Sequence, residues 1–218
     1  MNIGMLLFPG LTQLDLTGPF EVFHRIPDAK VHLVWKDLQP VRADSGLALL
    51  PTTTLADCPQ LDIVMVPGGF GQVALMKDAQ VLDWLRVQGQ GAKYVTSVCT
   101  GALLLGAAGL LDGYRATSHW AFTELLAGFG ATYTPGRVVI DRNRITGGGV
   151  TAGIDFGLVI AAQVAGEQTA KAIQLGLEYN PAPPYASGHP DIAEPALVAT
   201  VRARLVERGR DRFAKQPS

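Results

Sequence analysis

Short runs rich in apolar and β-favouring residues recur along this chain, and glycine, proline or a single cysteine stops each of them. Ile3 to Phe8 ends at Pro9-Gly10, Leu61 to Val66 ends at Pro67-Gly68-Gly69, and Lys93 to Val98 ends at Cys99. The first of these is continuously apolar and predicts a strand buried on both faces, and the other two read as further strands of the sheet. Val31 to Trp35 reads as a further strand, and Val41 to Leu50 as a β-like segment with a turn or bulge at Asp44-Ser45-Gly46. Helical spacing is expected around Pro19 to His24 and over Val81 to Val87, the latter capped by Asp78. Beyond Cys99 a small-residue helix follows, then a strand near Arg115 to Ser118 and a helix near Ala121 to Leu126. A hairpin over Arg137 to Thr146 turns at Asp141-Arg142-Asn143, and Gly147-Gly148-Gly149 opens a helix from about Thr151 to Val164. Strands alternating with helices predict an α/β fold: a three-layer α/β/α sandwich on a mainly parallel sheet. Ligands bind such sheets at the carboxyl ends of the strands, where the loops after Phe8, Val66 and Val98 converge.

That edge gathers the candidate chemistry. Cys99 is placed on a sharp strand-to-helix turn at the positive end of a helix, where backbone N–H groups favour an anion and lower a thiol pKa. The competing reading is a small buried hydrophobe. Asp15, between Leu14 and Leu16, is awkward to bury; a raised pKa would keep it protonated as a donor to a thiolate. It could equally cap the helix near Pro19. The N–H groups of Gly69 and Thr100 form a candidate anion-stabilising pair, with Gly68, Gly148 and Val150 as further oxyanion or substrate-binding candidates. The Thr100 hydroxyl either positions water or substrate or caps the helix behind the cysteine. His119 is the obvious candidate for a general base, but nothing in its spacing fixes its direction, and a structural histidine beside Trp120 is the preferred reading.

The 218 residues suffice for a large core, with 48% hydrophobic and 17% charged residues and a net charge of -1. That balance gives no reason to expect nucleic acid or an anionic membrane as partner. Two cysteines, Cys58 and Cys99, make neither a disulfide framework nor a metal cluster, and His24, His32 and His189 lack ligand spacing. The glycine triplet lacks the P-loop lysine and the dinucleotide-binding spacing. No apolar run nears the roughly 20 residues of a membrane span, and the amino terminus has no basic signal region. A reducing cytoplasm is the expected compartment. A proline-rich strap at 180–188 leads to a helical tail with Arg202, Arg204, Arg208, Arg210, Arg212 and Lys215, expected to be a solvated face or a packing arm for a neighbouring subunit.

Val98-Cys99-Thr100-Gly101-Ala102, with Pro67-Gly68-Gly69 upstream and the Thr146 to Asp155 segment downstream, resembles the ThiJ/PfpI superfamily. That group has the flavodoxin-like, class I glutamine amidotransferase-like sandwich and a cysteine nucleophile elbow. The likeness runs from Met1 to about Pro190, which implies a single domain over 1–190 and a helical tail over 191–218 packed on it or on a dimer partner. Leu14 to Pro19, Ser97 to Gly101, and Leu177-Glu178-Tyr179 leading into Pro181 to Pro184 look most like the isonitrile hydratase (isocyanide hydratase) branch. The resemblance implies a hydro-lyase acting on a small isonitrile without cofactor or metal, in a homodimer. Cys99 would be the nucleophile, Asp15 its acid partner and Thr100 a supporting residue. Proteolytic branches carry a histidine directly after the cysteine; Thr100 stands there instead and argues against peptidase activity. Several branches also use a glutamate where this chain has Asp15. Other activities in the superfamily define the alternatives: a cofactor-free glyoxalase, a thiol sensor, or a ligand-sensing domain like those of AraC-type regulators, which continue into a helix-turn-helix module where this chain ends at Ser218.

Overall fold

The computed structural model describes residues 1–214, the last four by their backbone alone, so Lys215 of the basic tail lies outside the described residues. In chain order the elements are β1 (Asn2–Leu6), α1 (Gln13–Phe23), β2 (Lys30–Trp35), β3 (Val41–Arg42), β4 (Ala48–Leu49), β5 (Thr53–Thr54) and β6 (Ile63–Val66). There follow α2 (Gln72–Leu75), α3 (Ala79–Gly91), β7 (Tyr94–Val98), α4 (Gly101–Ala107) and β8 (Arg115–Ala116). A 3-10 helix (Thr123–Phe129), β9 (Thr132–Tyr133), β10 (Val138–Asp141), β11 (Arg144–Gly147), α5 (Ala152–Ala165), α6 (Glu167–Gly176) and α7 (Pro195–Ala214) complete the chain.

Seven strands form the main sheet in the order β10-β11-β7-β6-β1-β2-β5. Every neighbouring pair is parallel except the β10–β11 hairpin at the edge. Those runs become the central strands: all of β6 is buried, as are Val95 to Val98 of β7, including Thr96 and Ser97, and Ile3 to Leu6 of β1. Helices cover both faces, as crossover connections between parallel strands require. The α/β sandwich read from the sequence is therefore the fold observed. Asp78 caps α3 by accepting from the Val81 N–H at 3.2 Å, as its position before that helix predicts.

Several elements differ from expectation. Helix α1 begins at Gln13, six residues before Pro19, which lies inside it. Proline has no N–H to offer the preceding turn, yet the helix continues because the ring packs against α5 where there is no side chain: a Cβ on Gly153 would sit 2.9 Å from Pro19 Cδ. The early start places Asp15 in the first turn of the helix rather than at its cap. The Arg115 to Ser118 segment contributes only the two-residue β8, paired with β9 outside the main sheet, because β11 occupies the place beside β7. The helix expected at Ala121 is a 3-10 helix closed by Gly130 at φ 72°. Helix α6, polar on one side and attached directly behind α5, had no capping signal beyond Gly166.

Candidate active site

The loops after β1, β6 and β7 meet at the carboxyl edge of the sheet, and Cys99 stands at their centre. It follows Val98 and precedes Gly101 of α4, with φ at +59°, a left-handed conformation costing a β-carbon residue roughly 1–3 kcal/mol. The surroundings impose that turn. The Cys99 N–H donates to the carbonyls of Gly147 (3.0 Å) and Gly148 (2.8 Å), and the Ser118 hydroxyl donates to its carbonyl at 2.9 Å. Gly101 admits the tight approach, since a Cβ there would lie 2.2 Å from the Val66 carbonyl oxygen.

Asp15 is fully buried next to this turn. Its Oδ2 accepts the Gly68 N–H at 3.0 Å, while Oδ1 has no hydrogen-bond partner among the described residues. Burial pushes the carboxyl up to about 7 and the charge of Asp44 adds to the rise; the Cys99 thiol and the Gly68 N–H oppose it. The sulfur behaves differently from the expectation of a lowered pKa. Burial, and next the charge of Asp15, hold the Cys99 thiol well above its ordinary value, against the Thr100 and Val150 N–H groups that favour the thiolate. Helix α4 has only seven residues, too short a dipole to outweigh that burial. When the pair holds one proton, the proton therefore resides on sulfur and the charge on Asp15.

The glycine candidates divide. Gly69 does not supply a free donor, because its N–H is taken by Thr100 Oγ1 at 3.0 Å; Gly68 likewise donates to Asp15. The N–H pair facing the sulfur is Thr100 with Val150, one of the downstream candidates. Gly148 holds the cysteine through its carbonyl, with its own N–H on the Arg137 carbonyl at 2.9 Å. Thr100 is the residue before α4 but caps nothing with its side chain; the hydroxyl instead ties the β6 loop to the turn.

A cavity of about 220 Å³ opens over Cys99, lined also by Thr100, Val150, His119, Phe70 and Phe122. His119 thus reaches the site. Burial, and next the charge of Arg202, lower its pKa to about 4, and Nδ1 accepts the Ala121 N–H at 3.2 Å. The ring is neutral near pH 7 and a weak base. Sequence reading missed Asp44, Leu205 and Arg208 at this cavity. Asp44 looked like a turn residue only, and no local signal shows that α7 folds back over the sheet edge.

These features define a class. The chain belongs to the DJ-1/PfpI family, whose pattern matches residues 1–163. It is 57% identical over 204 residues to an isonitrile hydratase of Pseudomonas putida, covering 94% of this chain and 90% of that enzyme. A crystal structure of a ThiJ/PfpI family protein from Pseudomonas syringae superposes with a TM-score of 0.94 at 46% identity, covering 98% of this chain and 89% of the other. The transcriptional regulator CdhR of Pseudomonas aeruginosa is 33% identical over 175 residues, which span 76% of this chain and 51% of the regulator.

Proposed function

We propose that this chain is an isonitrile hydratase, a carbon–nitrogen lyase of hydro-lyase type that converts isonitriles to N-substituted formamides. What carries the reading is the buried Cys99–Asp15 pair, with Cys99 lining a cavity, in a chain 57% identical along nearly its whole length to a hydratase. The isonitrile carbon becomes electrophilic as it gains a proton. Asp15, as the carboxylate, draws the proton from the Cys99 thiol and passes it to that carbon while sulfur attacks. One C–H and one C–S bond form, giving a thioimidate on Cys99. The Thr100 and Val150 N–H groups steady the sulfur as its charge develops. Water then adds across the C=N bond with Asp15 relaying its proton, the C–S bond breaks, and the formamide leaves with the thiol restored. This sequence needs no external electron acceptor or cofactor.

Residues 1–190 are read as the working domain and 191–218 as a tail, with the enzyme a homodimer in the cytoplasm. Among the described residues no helix is long and apolar enough to cross a membrane. The test is steady-state turnover of cyclohexyl isocyanide by the purified protein, with N-cyclohexylformamide identified as product and methylglyoxal and a peptide run alongside. Formamide production that disappears in Cys99→Ala is the expected result. Turnover of methylglyoxal alone would favour the glyoxalase-type alternative, and full activity in Cys99→Ala would overturn the covalent mechanism.

A further inference from the structure

A second and larger cavity, of about 340 Å³, adjoins the one over Cys99 and shares Phe70, Thr100 and Phe122 with it. Phe70 and Phe122 meet edge to face at 5.9 Å between ring centroids, so an aromatic pair stands where the two cavities join. Beyond that pair the wall is largely apolar, with Val73, Met76, Leu103 and Phe129. Gln72, at the start of α2, breaks the pattern. It lines this cavity, is only 3% exposed, and its Oε1 has no hydrogen-bond partner among the described residues. Leaving an amide oxygen buried and unpaired costs on the order of 1–3 kcal/mol, and a leucine or methionine would fill the same space without that cost. Glutamine at this position is accounted for by an occupant that brings a donor.

We infer that this chamber receives the nitrogen substituent of the isonitrile and that Gln72 selects substituents carrying an O–H or N–H group. The inference rests on the hydratase reading, since the isocyano carbon must lie at Cys99 while the substituent extends past Phe70 and Phe122. The chamber's volume, at the lower end of ordinary ligand pockets, suits a cycloalkyl or aryl body with one hydrogen-bonding group. Such a site discriminates through the unpaired acceptor: a substituent without a donor leaves Oε1 unsatisfied, whereas one with a donor restores the bond.

Cyclohexyl isocyanide and trans-4-hydroxycyclohexyl isocyanide, compared with the natural protein and Gln72→Met, provide the experiment. The natural protein is expected to favour the hydroxylated substrate by about tenfold in kcat/KM, mostly through KM, as one net hydrogen bond allows. Gln72→Met is expected to lose that preference, with a thermal midpoint as high as the natural protein's or higher. Turnover of both substrates with the same ratio in the two proteins would overturn the inference and leave the hydratase reading intact. Hydration of neither substrate by the natural protein would defeat both. Calorimetric binding of the two corresponding N-substituted formamides gives a readout independent of turnover. A preference for the hydroxylated formamide that Gln72→Met abolishes supports the subsite, and equal binding by both proteins counts against it.

Discussion

At the scale of single residues, the proton held between Asp15 and Cys99 governs both rate and stability. Attack needs Asp15 as the carboxylate and sulfur with its proton, so kcat/KM is expected to fall as pH drops through about 7, where Asp15 becomes protonated. The rate should hold on the alkaline side until the thiol loses its proton, which burial and the charge of Asp15 delay. Asp15→Asn should remove the acidic limb and lower kcat/KM by roughly 10²–10⁴-fold, checked by pH–rate profiles of both proteins. The same group leaves a mark on folding. An unfolded Asp titrates near its ordinary value of about 3.9, whereas folded Asp15 keeps its proton up to about 7. Between those pH values the folded state binds more protons than the unfolded one, so the contribution of Asp15 to stability declines as pH rises through the window. The full decline is at most about 4 kcal/mol, from three pKa units at 1.36 kcal/mol each. Denaturation of the two proteins at pH 5 and pH 8 tests this: Asp15→Asn should gain stability relative to the natural protein at the higher pH.

At the scale of elements, the site depends on two loops brought closer than side chains permit. A Cβ on Gly68 would lie 2.7 Å from Asp15 Oδ2, 2.7 Å from the Thr100 nitrogen and 2.8 Å from Cys99 Cβ. Gly68→Ala is therefore expected to lower kcat/KM by tenfold or more through displacement of the pair, and to destabilise by about 1–3 kcal/mol, measured by kinetics and thermal unfolding. This meeting of loops was legible in the sequence, because Pro9-Gly10, Pro67-Gly68-Gly69 and Cys99 each stop an apolar run on the same sheet edge. Reading which glycine amide faces the sulfur was not possible at that level. The Gly69 N–H is taken by Thr100 Oγ1 and the facing donor comes from Val150, a choice made by backbone direction and not by residue type. The start of α1 was hidden for a related reason. Pro19 reads locally as a helix opening, and only the glycine of α5 packed against it lets the helix run through. Nor could Asp44 be read as part of the site, since its role comes from a field acting across space.

At the scale of the whole molecule, the last helix completes a cavity built by elements far from it in sequence. Arg208 of α7 stands 5.1 Å over the Phe70 ring and 4.0 Å from Asp44 Oδ2, while Arg202 lies 5.0 Å over Trp120 and helps keep His119 neutral. Helix α7 thus packs on its own domain, where its charge pattern had suggested a solvated face or an arm for a neighbouring subunit, and it joins the electrostatics of the sheet edge. Asp44 raises the Asp15 carboxyl, and the Arg208 cation opposes Asp44. Removing the negative charge with Asp44→Asn should move the acidic limb of the rate profile to lower pH, because the Asp15 carboxylate then has one fewer anion beside it. Arg208→Ala should move the limb the other way, since it leaves Asp44 with the Thr12 hydroxyl but without the cation beside it. Both shifts should be small, and they should shrink between low salt and 1 M salt as the Debye length falls from roughly 10 Å toward 3 Å. Arg208→Ala should change stability by less than about 1 kcal/mol, as expected for a long, partly solvated ion pair. pH–rate profiles of the three proteins at two ionic strengths decide the matter: limbs that coincide at low salt would mean that α7 only walls the cavity and leaves the Asp15 proton unaffected.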